Sequence, residues 1–233
     1  SIPFARHGSS GIELGETLPH LAKVVDDICV IKSMHGEAIN HDPAATCFQT
    51  GSVIPGRPSI GSWVSYGLGS DNSDLPSYVA LTSNGTGKSG QPLYDRLWGS
   101  GFLPGRFQGV KFRGQGDPIL DLYDPSGLSR TQRRRMLDTI GKLNQTQASR
   151  YEDPTIKTRI AQYELTFRMQ TTAAEVTDIS RESKETLEMY GARPGAESTA
   201  DTKSVGDKPL AAADDPAFAN NCLLARRLVE SGV

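Results

Sequence analysis

The sequence predicts an α/β fold built on a parallel sheet. Three observations lead to it: "TLPHLAKVVDD" (17–27) has amphipathic helical spacing, the apolar, β-branched "ICVIKSM" (28–34) follows directly, and a second such stretch, "SYVALTS", occupies 77–83. A helix that leads directly into a buried strand is half of a βαβ unit, and such units form parallel sheets covered by helices. We therefore expect a mostly parallel sheet with helices on its faces.

Two further helices are expected between these strands. The first has Asp42 as its N-cap, Pro43 at its first helical position and Gly51 as its C-cap. The second covers 57–69, where a proline opens the pattern and a glycine closes it. Both helices are short, and both begin in polar loops.

The second half of the chain alternates between helical patterns and segments without a core pattern. Residues 84–127 are punctuated by Gly and Pro, which predicts a loop-rich excursion with one short helix at 93–98. Helical spacing extends from 129 to about 170 and returns from 217 to 232. Between them, 191–216 is poor in large apolar groups and predicts a flexible insertion. In the last helix, the side chains expected to face the core are Phe218, Leu223, Leu224 and Leu228.

A surplus of basic residues marks the helical stretch from 129 to about 170. It carries nine Lys and Arg against four Asp and Glu. This pattern is typical of a solvated helix face, and an anionic partner is the alternative.

The overall composition bounds the function classes. The 233 residues, 36% hydrophobic and 22% charged, fit one large domain, and we treat 1–233 as the central part of one α/β domain. A net charge of -2 gives no general attraction to nucleic acid. No apolar stretch approaches the roughly 20 residues that span a bilayer, so no membrane span is expected. The oligomeric state does not follow from these data.

The three cysteines are widely spaced and include no C-x-x-C pair. Cys29, Cys47 and Cys222 therefore form neither a disulfide framework nor a zinc site. Cys29 and Cys222 fall within apolar patterns and are expected in the core. Cys47 is also expected to be a structural thiol, because nothing near it in sequence would depress its pKa.

Candidate site residues cluster in "SMHGEAINHDPAATCFQTGS" (33–52), directly after the first predicted strand. His35, His41 and Asp42 fall at the strand end, the loop and the helix start. An open α/β sheet binds ligands there, and the N–H groups at a helix start attract anions. The structural alternative remains open, in which Asp42 only caps the helix and the histidines bond to backbone carbonyls.

Four stretches of the chain, in order, resemble a widespread bacterial family of uncharacterised, sulfatase-like proteins assigned to the alkaline-phosphatase superfamily. They are "LPHLAKVVDDICVIKSMHGEAINHDPAATCFQTGSVIPGRPSIGSWVSYGLGS", "GQPLYDRLWGSGFLPGRFQGVKFR", "TRIAQYELTFRMQT" and "NNCLLARRLVESGV". The resemblance implies a large α/β sandwich with a two-metal site at the strand ends. It also implies action on sulfate or phosphate esters. Export to the periplasm or cell surface is common in such a family.

The sulfatase comparison also gives His41 a role. In sulfatases the nucleophile opens a helix in the pattern C-x-P-x-R, followed after a few residues by Thr-Gly. When Pro43 and Gly51 are matched to that pattern, the nucleophile falls on His41, the arginine falls on Ala45, and Cys47 is out of register. His41 would then act as a nitrogen nucleophile, an acid/base or a metal ligand.

The candidate site consists of His41, His35 and Arg57, acting on an anionic sulfate or phosphate ester. Arg57 is the candidate anion clamp because a guanidinium matches tetrahedral oxyanions, and an ordinary surface arginine is the alternative. No histidine follows His41, and the resemblance stops at "RRLVESGV". We therefore expect a central fragment whose metal site is incomplete, with divalent metal ions bound only in the full-length protein. The alternative function is a non-catalytic one, in binding or cell-surface assembly.

Overall fold

Two units of unequal size make up the chain, residues 1–37 and residues 38–233. The computed structural model describes residues 2–82, 94–113, 119, 122, 124, 127–151, 153–196 and 216–233. Residues 84–93 and several positions between 114 and 126 of the predicted excursion at 84–127, and residues 197–215 of the predicted insertion at 191–216, lie outside these residues.

The first unit is an antiparallel hairpin followed by a 3-10 helix. Strand β1 (Phe4–His7) pairs with β2 (Ile12–Gly15), and the 3-10 helix covers Leu21–Asp27. The Asp26 carboxylate accepts hydrogen bonds from the backbone N–H groups of Ser9 (2.8 Å) and Ser10 (3.0 Å) in the hairpin turn. These bonds, the Ser9 one foremost, hold the pKa of Asp26 well below its ordinary value.

The strand predicted at 28–34 is wrong. These residues form no regular structure, and Ile31 and Met34 are exposed. A buried strand needs a neighbouring strand, and no segment in the described part of the chain pairs with this one. The preceding helix, predicted over 17–27, is a 3-10 segment over Leu21–Asp27 that is kinked at Val24, where the backbone angles are non-helical.

The second unit begins with helix α1 (His41–Thr50). Gly51 ends it in the left-handed conformation (φ 71°) and donates its N–H to Cys47 O, which confirms the predicted C-cap. The predicted N-cap, Asp42, is wrong. Asn40 is the N-cap, since its backbone is extended and its side chain accepts a hydrogen bond from His41 N.

Helix α2 (Ile60–Leu68) lies within the predicted span 57–69 and ends at Gly69. Its inward face is formed by serines, and its large apolar side chains point outward. Ser62 and Ser65 are buried, whereas Trp63 and Leu68 are exposed, Leu68 at 85%. This is the reverse of the usual amphipathic arrangement.

Strands β3 (Val79–Thr82) and β4 (Val110–Arg113) form a parallel pair, with Val79 opposite Val110 and Leu81 opposite Phe112. The second predicted strand, 77–83, is therefore confirmed over Val79–Thr82. The mixed α/β class with parallel pairing is confirmed as well. The larger sulfatase-like sandwich stays a prediction.

Four more helices complete the second unit: α3 (Arg130–Tyr151), α4 (Pro154–Thr177), α5 (Lys184–Tyr190) and α6 (Pro216–Glu230). Helices α4 and α6 pack with the parallel pair around one core. Its buried members are Leu75, Phe112, Leu122, Met169, Ala173, Val176, Leu224 and Leu228. In α6 the inward positions of Leu223, Leu224 and Leu228 are confirmed, but Phe218 is 68% exposed.

Helices α3 and α4 form a hairpin joined by ion pairs. Arg134 on α3 donates two hydrogen bonds to the Glu164 carboxylate on α4, at 2.8 and 2.5 Å. This bidentate pairing lowers the pKa of Glu164. Arg134, at least, therefore links the two helices of the hairpin and does not belong to a purely solvated face. Among the described residues, no helix is both long enough and apolar enough to span a membrane.

Candidate functional site

His41 is the first residue of α1, and its side chain is exposed. Its backbone N–H donates to Asn40 Oδ1 at 2.7 Å. Within the described ranges, its imidazole makes no hydrogen bond or ion pair. The ring is thus held at a helix start by its own backbone and remains open to a ligand or a proton.

Arg96 brings a positive charge to this helix start. It belongs to the short 3-10 helix Asp95–Trp98, and its guanidinium pairs with the carboxylate of Asp42, the residue after His41. The same guanidinium lies over the Tyr94 ring, 4.1 Å from the ring centroid. In the described part of the chain, its buried Nε has no hydrogen-bond partner. The Asp42 pair therefore does not satisfy Nε, and burial keeps this atom from a ligand in solvent.

Sequence reasoning missed Arg96. It lies 54 residues from Asp42 along the chain. No local pattern links the two positions. The only local signal is the Tyr-Asp-Arg sequence at 94–96, in which an arginine follows an aromatic ring that it can cover.

The start of α1 is a poorer anion site than the sequence predicts. A helix usually begins with several unpaired N–H groups. Here the Asn40 side chain takes the N–H of His41, and Pro43 has none. Among described groups, this leaves the N–H of Asp42, whose own carboxylate is negative. An anion at this end would therefore depend on a side chain such as Arg96 more than on the helix backbone.

Arg57 lies in an exposed loop before α2, and no ion pair of its side chain is found among the described residues. The loop itself is firmly held. Ser59 N and Ser62 Oγ both donate to Gly99 O at 3.0 Å. Gly101 has a positive φ of 55°, and a Cβ there would collide with the backbone of Arg57 and Pro58. The backbone of Arg57 thus packs against the loop that follows the 3-10 helix containing Arg96.

The other predicted residues differ in their exposure. His35 is exposed in the first unit, in a segment without regular structure. Cys47, expected to be a buried structural thiol, is only half-buried in α1. Cys29 and Cys222, which the sequence predicts in the core, are exposed. Cys29 is exposed because the predicted strand that would bury it does not form. Cys222 lies on the outer side of α6.

The donor set at the start of α1 does not match a metal centre. Of the described residues, no three His, Cys, Asp or Glu side chains are grouped closely enough to hold one ion. The one carboxylate beside His41, that of Asp42, is already paired with Arg96.

Comparison with protein families matches residues 1–233 to a family described as a protein of unknown function, DUF1501. Neither the curated proteins nor the solved structures include a match to the chain. The predicted resemblance to an uncharacterised family is therefore confirmed over the whole chain. Its placement within the alkaline-phosphatase superfamily stays a prediction.

Proposed function

We propose a function for a chain that belongs to the DUF1501 family: hydrolysis of a sulfate or phosphate ester, with His41 as the reacting side chain. The observation that carries the proposal is the exposed, unpaired imidazole at the first residue of α1, one residue from a carboxylate that binds Arg96. The sulfatase-like pattern of the sequence places the nucleophile at this same position.

His41 would manage the protons of the reaction. Water attacks the sulfur or phosphorus atom as the bond to the ester oxygen breaks. The imidazole takes one proton from the water and returns one to the leaving oxygen, so that an alcohol and an inorganic anion are released. An imidazole suits both transfers because its ordinary pKa lies near neutral pH. Direct attack by the ring nitrogen is the variant of this mechanism that forms a covalent intermediate.

Arg96 would bind the anionic group of the substrate. A guanidinium can offer two parallel N–H groups to a sulfate or phosphate. Arg96 pairs with Asp42, the residue after His41, and its side chain is 30% exposed. Arg57 remains the second candidate clamp, because its backbone packs on the loop after Arg96. His35 remains a predicted contributor from the first unit.

The test is an ester-hydrolysis assay with matched histidine variants. Aryl sulfates and aryl phosphates are offered to the purified 233-residue chain, with and without added divalent metal. His41→Ala should lower kcat/KM at least about 100-fold, the usual contribution of a general acid/base. Arg96→Gln should raise KM, and Arg57→Ala and His35→Ala should lower kcat/KM less than His41→Ala does.

His20→Ala is the control, since His20 is also exposed and plays no part in the proposal. Turnover that survives His41→Ala unchanged would overturn the role of His41. Absence of turnover under both metal conditions would overturn the hydrolase proposal.

A non-catalytic binding role is the second candidate, and one observation favours it. Helix α2 exposes Ile60, Trp63, Val64 and Leu68 together, and contiguous apolar patches of this kind mark interaction surfaces. This role expects a folded protein without turnover, whose partner or glycan binding is unchanged by His41→Ala and is lost on Trp63→Ser.

A further inference from the structure

A cleft of about 250 Å³ lies at the amino ends of β3 and β4. One wall consists of the residues just before β3 and β4, and the opposite wall comes from α4. The two strands are parallel, so their amino ends lie at the same edge of the pair. Ligands of open α/β sheets bind at the carboxyl edge. The cleft is therefore separate from the site that the sequence predicts, and neither His41 nor Arg57 lines it.

The floor of the cleft is apolar and rigid. Leu75 is buried in the main core, and Val110 and Leu165 pack against that core. Asn72, on the same wall, holds Leu75 in place, since its Oδ1 accepts the Leu75 N–H at 2.9 Å. A ligand with a small apolar body would lie against side chains that are already fixed, so little ordering would be needed on binding.

The rim of the cleft carries polar side chains with unused hydrogen-bonding capacity. Arg106 lies over the Phe107 ring, 4.6 Å from the centroid. No carboxylate is paired with this guanidinium in the described structure. Gln108 and Gln162 also line the cleft, and no side-chain hydrogen bond is found for them among the described residues. By contrast Ser77 Oγ is already bonded to Ser65 Oγ at 2.6 Å.

The charge of the lining selects the ligand. Arg106 is a cation, and none of the described lining residues is Asp or Glu. Two glutamine amides can donate further N–H groups beside the guanidinium, which is the donor set that carboxylates, sulfates and phosphates accept. The volume corresponds to about eight water molecules, which suits a ligand of about ten non-hydrogen atoms.

We propose that this cleft binds a small organic anion, with its apolar body on Leu75, Val110 and Leu165 and its anionic group on Arg106. The binding site is independent of the hydrolysis proposed for His41. It adds a second place where the protein recognises a negatively charged small molecule.

Calorimetric titration of the full chain tests the proposal. The probes are benzoate, phenyl sulfate and phenyl phosphate, with benzyl alcohol as the neutral analogue. At least one anion should bind about tenfold more tightly than benzyl alcohol, because the alcohol gains no charge-assisted hydrogen bond. The three anions together show which anionic group the cleft prefers.

Two variants assign the binding to the cleft. Arg106→Gln should weaken the anion about tenfold and leave the alcohol unchanged. Ala161→Phe should abolish binding of both, because Ala161 is an exposed helix residue that lines the cleft and a ring there fills the space. Arg113→Gln is the matched control, since it removes one exposed charge at the carboxyl end of β4.

The outcomes are distinct from those of the hydrolase assay. His41→Ala should leave anion binding in the cleft unchanged, whatever it does to turnover. Equal affinity for anion and alcohol, no binding of any probe at millimolar concentration, unchanged binding in Arg106→Gln, or loss of binding in His41→Ala would each overturn the proposal.

Discussion

Helices α2 and α6 lie in the same unit, but they turn different kinds of side chain inward. Helix α6 buries Leu223, Leu224 and Leu228 in or beside the main core. Helix α2 buries Ser62 and Ser65 and leaves its large side chains outside. The difference shows that apolar content can predict that a helix forms without predicting which face turns inward.

Close approach explains the inward serines of α2. Ser59 and Ser62 share a hydrogen bond of 3.0 Å, and Ser62 also donates to Gly99 O. A Cβ at Gly61 would collide with the Tyr78 ring. The helix therefore lies too near its neighbours for large side chains on that face. Helix α6 instead fills a wider space with leucines, and the close packing of their atoms supplies its stability.

The largest expected effect is on the core packed by α6. Phe112→Ala should lower the free energy of unfolding by about 3–5 kcal/mol, because Phe112 is completely buried and the cavity would not collapse. Urea unfolding followed by circular dichroism measures the change. Phe102 is exposed and contacts Trp63 of α2 edge to face. Phe102→Ala removes the same side chain there and should lower the free energy of unfolding by less than about 1 kcal/mol. Equal losses at the two positions would contradict the contrast between the regions.

An intermediate effect is expected when the inward face of α2 is enlarged. Ser62→Leu should cost about 2–3 kcal/mol, since it removes the hydrogen bond to Gly99 O and forces a larger side chain into a tight contact. The measurement is the midpoint of urea unfolding, with Val64→Leu on the outer face as the near-neutral control. A more stable Ser62→Leu protein would mean that α2 turns its apolar face inward in solution.

The smallest effect concerns the ion pairs that hold α6. Arg227 and Arg226 both donate to the Glu182 carboxylate, and these bonds, the Arg227 one foremost, lower the pKa of Glu182 below its ordinary 4.5. The unfolded chain therefore takes up this proton at a higher pH than the folded chain does. The stability from Glu182 is complete above pH 4.5 and is lost as the pH falls through the folded-state pKa.

Comparing Glu182→Gln with the native chain by thermal unfolding from pH 7 to pH 3 measures this contribution. The variant should be less stable at pH 7 and should lose less stability on acidification. Glu188→Gln, at an exposed position on α5, is the control. A parallel decline of native and Glu182→Gln proteins would contradict the assignment.

Local signals in the sequence predicted the elements that need only local information. Gly51 and Gly69 end their helices as expected, and the strand containing Val79 and the leucines of α6 lie where periodicity places them. The strand at 28–34 failed because a strand exists only with a partner, and a β-branched run does not specify one.

The candidate site shows the same division. His41 lies at a helix start as predicted, because proline and glycine mark the two ends of α1. The Asp42–Arg96 pair joins segments far apart in the chain, so no local rule could find it. The predicted anion site has fewer free N–H groups than expected, because the Asn40 side chain takes the N–H of His41 and Pro43 has none.

The exposed face of α2 also gives the protein an optical reporter. The chain has two tryptophans. Trp63 on this face is 44% exposed, whereas Trp98, the last residue of the 3-10 helix that contains Arg96, is 6% exposed. A water-soluble quencher such as acrylamide reaches the first indole and is kept from the second. The intrinsic tryptophan fluorescence of the protein therefore separates into two components: that of Trp63 reports on α2, and that of Trp98 reports on the packed interior. Replacing either tryptophan by phenylalanine leaves a probe for one region alone.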